Sequence, residues 1–531
     1  MKHSDDAWWL GASLYQIYPL SFADSNGDGW GDLPGITQRL DYVASLGVDG
    51  IWLSPFYEGA YVDFGYDTTD QKSVDPRCGT LEDFDALLAK AHRLGLKVVV
   101  DQVYTYTSNR HPWFQQSRRS KDDAKTDWYV WADAKADGSA PNNWVSIFGG
   151  PAWEWDRGRR QYYMTHFLPG MPHLHVQNPA VQDALLDIGR FWLDRGVDGF
   201  RLDVINLAMV DEQLRDNPCS GATGIPMPGH AQRMLYDRSL PANLEFVRRI
   251  RRLADGGPGR FLMGEVSEPD ALSTAKQYTA GNELLHSAYF VLGLERSPLN
   301  AADLRRELGG WTEADDSWPT WAFSNHDVVR GLTRCGGRDA PPALARLLLA
   351  VLLTARGNAL LYQGDELGLP DGQVPFERLR DPATRRFHPD YLQRDGARTP
   401  MPWHARAPQA GFSTVEPWLP VGRGHAGLAV DRQEADAHST LAVARRLVAL
   451  RRAEPALRTG GLRFLDLPEP LLGFERLHGA RRIRCVFNVS SQPVSVGGEL
   501  PSATPLAAEG YSPGSGTLEP FGFCVAAADS T

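Results

Sequence analysis

Three times in the first half of the chain, a stretch with apolar residues every three or four positions ends in glycine and passes into a continuous apolar run. Residues 36–46 lead through Gly47 to Val48-Asp49-Gly50-Ile51-Trp52-Leu53. Residues 81–94 lead through Gly95 to Leu96-Lys97-Val98-Val99-Val100-Asp101, and residues 181–195 through Gly196 to Val197-Asp198-Gly199-Phe200. The helical period predicts amphipathic helices with glycine C-caps, and the unbroken runs predict strands buried on both faces. Helix and strand alternating along one chain give parallel strands joined by right-handed crossovers. Runs at Tyr15-Gln16-Ile17-Tyr18, Phe261-Leu262-Met263-Gly264, Ala288-Tyr289-Phe290-Val291, Trp321-Ala322-Phe323-Ser324 and Ala359-Leu360-Leu361-Tyr362 bring the strand count to eight. Eight such units predict an α/β fold built on a (β/α)8 TIM barrel, whose catalytic groups sit at the C-terminal ends of the strands.

The alternation breaks twice. Between Asp101 and the helix at Val181 lies a long segment rich in Trp, Asn, Gly and Pro, such as Pro141-Asn142-Asn143-Trp144. It is too long for a simple loop and predicts a subdomain inserted after the third strand. Beyond the helical residues 440–452, short alternating runs such as Arg482-Ile483-Arg484-Cys485-Val486-Phe487-Asn488-Val489 are separated by Pro, Gly and Ser, predicting a C-terminal antiparallel β-sandwich. The expected boundaries are 1–102 and 176–456 for the two parts of the barrel, 103–175 for the insertion and 457–531 for the sandwich.

Composition narrows the function classes. With 531 residues the chain exceeds one core, and 42% hydrophobic and 23% charged residues are ordinary for a globular protein. A net charge of -10, without a basic stripe, argues against a nucleic-acid partner. The five cysteines are scattered and form no C-x-x-C pair, so neither a disulfide framework nor a zinc site is suggested. The opening Met1-Lys2-His3-Ser4-Asp5-Asp6-Ala7 lacks the apolar core of a signal peptide, and no run approaches membrane-spanning length. The expectation is a cytoplasmic monomer or homodimer with no membrane partner and no organic cofactor. Sixteen Trp and seventeen Tyr suit the stacking of sugar rings, although core packing uses them equally.

Chemistry gathers at the strand ends. Arg201 precedes Asp203 by two residues, so both point to one face of a strand, and the guanidinium would keep the carboxylate ionised. Asp101, Glu265 and the pair His326-Asp327 close neighbouring strands at the same level. Packed carboxylates repel, which raises some of their pKa values and destabilises the fold. Cleavage of a glycosidic bond needs such an arrangement, with one protonated acid for the leaving oxygen and one carboxylate for the anomeric carbon. Separately, Asp24-Ser25-Asn26-Gly27-Asp28-Gly29-Trp30-Gly31-Asp32 spaces oxygen donors with glycines, as a loop around a hard cation does. Gly35 stands where an EF-hand carries its Glu, so the loop is not an EF-hand; an Asx-turn loop without metal is the other reading.

The motifs Asp101-Gln102-Val103, Gly199-Phe200-Arg201-Leu202-Asp203, Met263-Gly264-Glu265 and Phe323-Ser324-Asn325-His326-Asp327 resemble, in order, those of glycoside hydrolase family 13, the α-amylase superfamily. Asp63-Phe64-Gly65-Tyr66-Asp67 and the run from Arg394 to Trp403 narrow the resemblance to its α-glucosidase and oligo-1,6-glucosidase branch. The resemblance implies Asp203 as nucleophile, Glu265 as general acid/base and Asp327 as transition-state stabiliser. Asp203 and Glu265 would then stand about 5–5.5 Å apart, as retention requires. It further implies that Arg201 holds Asp203, and that Asp63, Tyr66, His326 and Arg394 or Arg398 line the subsite for the non-reducing sugar. Asp24, Asn26, Asp28, Asp32 and the Trp30 carbonyl match the family's Ca2+ or Mg2+ loop. Val204 matches a position where valine accompanies α-1,6 cleavage; ordinary packing explains it as well.

The chain departs from the family next to these motifs. Tyr106 stands where the family carries a histidine that binds the sugar's 6-hydroxyl, Met171-Pro172-His173-Leu174-His175 replaces Gln-Pro-Asp-Leu-Asn, and Glu58-Gly59-Ala60-Tyr61 and Gln71-Lys72-Ser73 also differ. All three expected acids remain, so retuned recognition at the 6-position is favoured over a dead enzyme, with a slow α-glucosidase as the other reading of the lost histidine. The function expected is a retaining α-glycosidase on small α-glucosides, with possible transglycosylation. A sucrose- or trehalose-type glucosyltransferase and a non-catalytic binding protein of the same barrel are the alternatives.

Overall fold

The computed structural model describes residues 7–221, 231–267, 270–294, 299–311, 317–387, 394–497 and 504–528. Eight parallel strands close a barrel: β1 Ser13–Ile17, β2 Gly50–Leu53, β3 Lys97–Gln102, β4 Gly199–Leu202, β5 Phe261–Glu265, β6 Ser287–Val291, β7 Pro319–Ala322 and β8 Asn358–Tyr362. They pair in chain order, and β1 closes the ring on β8 through Ser13–Ala359 to Gln16–Tyr362. The eight apolar runs read from the sequence overlap these strands, although β7 begins at Pro319, ahead of the expected Trp321, and ends at Ala322. In β4 the strand starts at Gly199 rather than Val197; the Val197 N–H still turns back to the Trp192 carbonyl, and the Asp198 carboxylate accepts the Val98 N–H and pairs with Lys97 and His92 at the barrel floor.

The helices follow the same local rules. Leu81–Arg93 buries Phe84, Leu87, Leu88 and Ala91, one stripe at helical spacing. Thr80 and Asp83 form a capping box at its start, and Lys90, His92 and Arg93 complement the dipole at its end. Gly95 then takes φ 79°, the left-handed turn that ends the helix.

Between β3 and the helix Pro179–Asp194 the chain forms a short helix, Pro112–Ser117, and a three-stranded antiparallel sheet. In that sheet Gln161–Met164 lies between Trp131–Ala132 and Trp153–Asp156. The excursion is fastened at its root. Leu174 donates to the Thr105 carbonyl and Thr107 to that of Pro172, so Tyr106 and His173 face one another across an antiparallel bridge. This clamp aims Tyr106 into the barrel mouth.

The C-terminal strands are β9 Gly461–Phe464, β10 Leu471–His478, β11 Arg481–Asn488, β12 Val494–Ser495, β13 Ala507–Ser512 and β14 Thr517–Ala527. The antiparallel pairing expected from their alternation is present. The sandwich expectation is refined in one respect: β14 pairs with β11, β12 and β13, so the described strands form one continuous hydrogen-bonded sheet. Its period of two gives each face its own apolar cluster. Cys485, Phe487, Phe523 and Val525 join the barrel core, whereas Val486, Cys524 and Ala526 pack with Leu467, Val496 and Leu518 on the far side.

Candidate active site

The mouth of the barrel is organised by one guanidinium. Arg201, on β4, has no solvent-exposed surface. Its Nη1 donates to both oxygens of Asp101 (2.8 and 3.0 Å) and to Oδ1 of Asp203 (2.6 Å), while Nη2 pairs with Glu265. Only a planar fork of donors bridges three carboxyls on adjacent strands in this way. Asp101 is further held by Tyr66 Oη (3.1 Å) and Trp52 Nε1 (3.2 Å). Arg201 also lies over the Trp52 ring, 4.9 Å from its centroid.

A second cationic group faces the first. Arg394 Nη2 donates to Asp63 (2.6 Å) and Asp381 (2.7 Å), its Nη1 to Asp327 (3.1 Å), and Arg398 Nη2 to the same Asp327 oxygen (2.7 Å). The other oxygen of Asp327 lies 3.0 Å from His326 Nε2. Gln16 reaches His326 Nδ1 at 2.8 Å, and Tyr66 stacks on the imidazole with its hydroxyl 2.6 Å from Nε2. Arg201, Asp203, Glu265, Asp327, Asp63, Tyr66, His326, Arg394 and Arg398 thus assemble at one place.

Six carboxyls (Asp63, Asp101, Asp203, Glu265, Asp327 and Asp381) share three guanidiniums, so they cannot all ionise cheaply. Burial, aided by the charges of Asp203 and Asp327, pushes Glu265 up to about 8 against the pull of Arg201. Burial likewise raises Asp101 to about 7 and moves Asp203 upward, opposed there by Arg201 and the Tyr106 hydroxyl. Burial acts the same way on Asp327, but His326, Arg398 and Arg394 outweigh it and hold this carboxyl well below the usual range. Neutral pH therefore finds a protonated Glu265 beside an ionised Asp327. Glu265 and Asp327 expose 22% and 31% of their side chains, so a ligand can reach them, while Asp203 lies deeper at 6%.

Three placements go beyond the sequence reading. Tyr106, expected beside a sugar's 6-position, donates its hydroxyl proton to Oδ2 of Asp203 at 2.6 Å. Val204 adopts φ 34° and ψ 47°, a left-handed conformation unusual for a β-branched residue, and its N–H points to Glu265 at 3.3 Å. Asp381, paired with Arg394, carries no sequence motif that marks it as part of the site. Its Asp-Pro-Ala-Thr context reads as a helix start, and its Oδ2 does accept from Thr384, while its Oδ1 serves Arg394.

In the loop from Asp24 to Asp32, Asp24 accepts from the amides of Asn26, Gly27 and Gly29 and from the Ser413 hydroxyl. Asn26 and Asp28 cap the amides of Asp28 and Trp30, and Asp32 caps the following helix by accepting from Gly35. Among the described residues, no three His, Cys, Asp or Glu side chains converge as metal ligands. The oxygens are of the kind Ca2+ and Mg2+ take and retain lone pairs beyond these caps, so the donor set fits a hard cation only as a mixture of carboxylate, amide and carbonyl oxygens.

Comparison with known proteins matches residues 16–460 to the α-amylase catalytic-domain model. The chain is 47% identical over 519 residues to a probable alpha-glucosidase of Rhizobium meliloti (strain 1021), covering 96% of this chain and 94% of that one. It is 32% identical over 531 residues to an oligo-1,6-glucosidase of Heyndrickxia coagulans, covering 92% and 93%. Among solved structures, an alpha-glucosyl transfer enzyme superposes with a TM-score of 0.92 at 46% identity, over 99% of this chain and 100% of the other. Trehalulose synthase from Pseudomonas mesoacidophila MX-45 superposes with a TM-score of 0.89 at 30% identity, over 98% and 99%.

Proposed function

Because the chain belongs to the α-amylase family of glycoside hydrolases, and is therefore a carbohydrate-active glycosidase or glucosyltransferase, we propose that it acts with retention on the non-reducing α-glucosyl unit of small α-glucosides. The observation that carries this reading is Arg201 bridging Asp203 and Glu265. In the first half of the reaction a lone pair of the Asp203 carboxylate forms a bond to the anomeric carbon. The bond to the leaving oxygen breaks, its electron pair goes to that oxygen, and Glu265 supplies the proton. In the second half, Glu265 as carboxylate takes a proton from water or an alcohol, whose oxygen attacks the same carbon and releases Asp203. Asp327, ionised between Arg394, Arg398 and His326, faces the positive charge that develops at the ring.

Likeness to an alpha-glucosyl transfer enzyme supports glucosyl transfer beside hydrolysis. The proposal includes a changed hold on the sugar's 6-position, because the residue at 106 is a tyrosine whose one proton is already committed. The test is a panel of aryl α-glucoside, maltose, isomaltose, sucrose and 6-deoxy α-glucosides, with the first-formed anomer read by NMR. Release of the α-anomer first, and a 6-deoxy substrate turned over at least as well as its parent, are expected. A β-anomer first would overturn retention, and strong preference for the 6-hydroxylated substrate would overturn the altered subsite.

A hard cation held by Asp24, Asn26, Asp28, Asp32 and the Trp30 carbonyl is proposed as a structural element only. Purified protein is expected to carry bound Ca2+ or Mg2+, and a chelator to lower Tm by removing a ligand specific to the folded state. An unchanged Tm with no bound metal assigns the loop to its Asx turns alone.

A further inference from the structure

We propose that Tyr106 is a positioning residue for the nucleophile, its phenol proton fixing the second oxygen of the Asp203 carboxylate and stabilising its charge. This rests on the retaining mechanism above. The geometry is specific: Arg201 Nη1 holds Oδ1 and Tyr106 Oη holds Oδ2, both at 2.6 Å, so each oxygen has one strong donor and the carboxylate plane is set. The ring cannot swing away easily. It is 3% exposed, packs edge-on against Phe167 with centroids 5.1 Å apart, and its backbone is bridged to His173.

The consequence follows the charge on Asp203. The hydrogen bond is strong while the carboxylate is anionic and weakens once Oδ is esterified to the sugar, because an ester oxygen is a poorer acceptor. In the second half-reaction the C1–Oδ electron pair returns to Asp203 as water or alcohol attacks, and the Tyr106 proton stabilises that returning charge. Tyr106 therefore favours release of the covalent sugar over its formation. It also makes the carboxylate less basic. The other groups that face Asp203 are Arg201, Asp101, Glu265, Asp327 and Tyr66; of these Arg201 pulls its pKa down, while burial and Asp327 push it up.

The experiment measures kcat/KM against pH, together with pre-steady-state release of phenol from an aryl α-glucoside. Since Asp203 must be ionised to attack, removing the donor in Tyr106→Phe is expected to move the acidic limb upward by about one pH unit. The slowed second step should also produce a burst approaching one equivalent of phenol. Replacement of Tyr106 by 3-fluorotyrosine, a more acidic donor of nearly the same shape, should move the limb downward, which no loss of folding can imitate. Wild-type limbs in both variants, with only the KM ratio of glucoside to 6-deoxyglucoside altered, would overturn the proposal and make Tyr106 a specificity residue alone. Failure of the wild type to turn over α-glucosides with retention would instead remove the mechanism on which the proposal rests, and the proposal with it.

Discussion

Glu265 and Asp327 show how the same residue class is driven to opposite protonation states within one site. Both are carboxyls near guanidiniums, but Glu265 meets Arg201 when that cation is already shared with Asp101 and Asp203, whereas Asp327 has Arg394 and Arg398 on one oxygen and His326 on the other. Burial then decides for Glu265 and the cations decide for Asp327. Glu265 must keep its proton to act as an acid, so activity should fall as pH rises through about 8, where that proton is lost. In Glu265→Gln, a substrate whose leaving group needs no proton, such as an α-glucosyl fluoride, should lose this basic limb in kcat/KM. Persistence of the limb would assign it to another group. Val204 adds backbone strain of about 1–3 kcal/mol next to the nucleophile, a conformation that the surrounding packing must hold.

At the scale of elements, the level of the carboxyls depends on how closely β4 and β5 approach. A Cβ on Gly199 would lie 2.2 Å from the Phe261 carbonyl oxygen and 2.9 Å from its amide nitrogen, both backbone atoms of the neighbouring strand. Neither atom can yield without parting the strands that carry Arg201 and Glu265. Gly199→Ala is therefore expected to destabilise the fold by at least about 2 kcal/mol and to lower kcat further than Tm alone explains. Urea midpoints and rates measured on the same preparation test this, and a variant with wild-type values for both would show that the barrel tolerates the shift. The inserted sheet acts at the same scale, since its root bridge at Tyr106 and His173 delivers the phenol to Asp203.

Across the whole molecule, buried arginines join the C-terminal sheet to the barrel. Arg476 on β10 donates to the carbonyls of Thr354, Ala355, Leu457 and Gly460, which include the last residue of the helix Pro342–Thr354. Arg451 serves the same helix end through the Leu353 and Ala355 carbonyls and reaches the Gly11 carbonyl before β1. A cation at a helix C-terminus complements its dipole, and these carbonyls have no water to replace the donor. Arg476→Met keeps the apolar stem but removes the side-chain donor from the Thr354, Leu457 and Gly460 carbonyls, while Ala355 keeps Arg451, so a loss of about 3 kcal/mol is expected. Barrel and sheet should melt together at a lower denaturant midpoint. Two separate transitions would show instead that the sheet is an independent unit.

Much of this was legible in one dimension because it depends on period and order. Strand runs, glycine caps and the antiparallel tail are local patterns with few physical solutions, and the serial placement of Asp101, Asp203, Glu265 and Asp327 at strand ends follows from barrel topology. The contacts made by loops were not legible. Asp381 reads as a helix cap, and only folding brings Arg394 onto it; Tyr106 reads as a substituted sugar contact, and only the bridge to His173 turns it toward Asp203. The protonation states were hidden for the same reason: a carboxyl's pKa depends on its distance to charges and its depth from water, quantities that sequence spacing does not contain. The chain alone thus determined which acids share a rim. The tertiary structure decided which of them holds a proton and what grips the nucleophile, because both depend on atoms far apart in sequence meeting within hydrogen-bond distance.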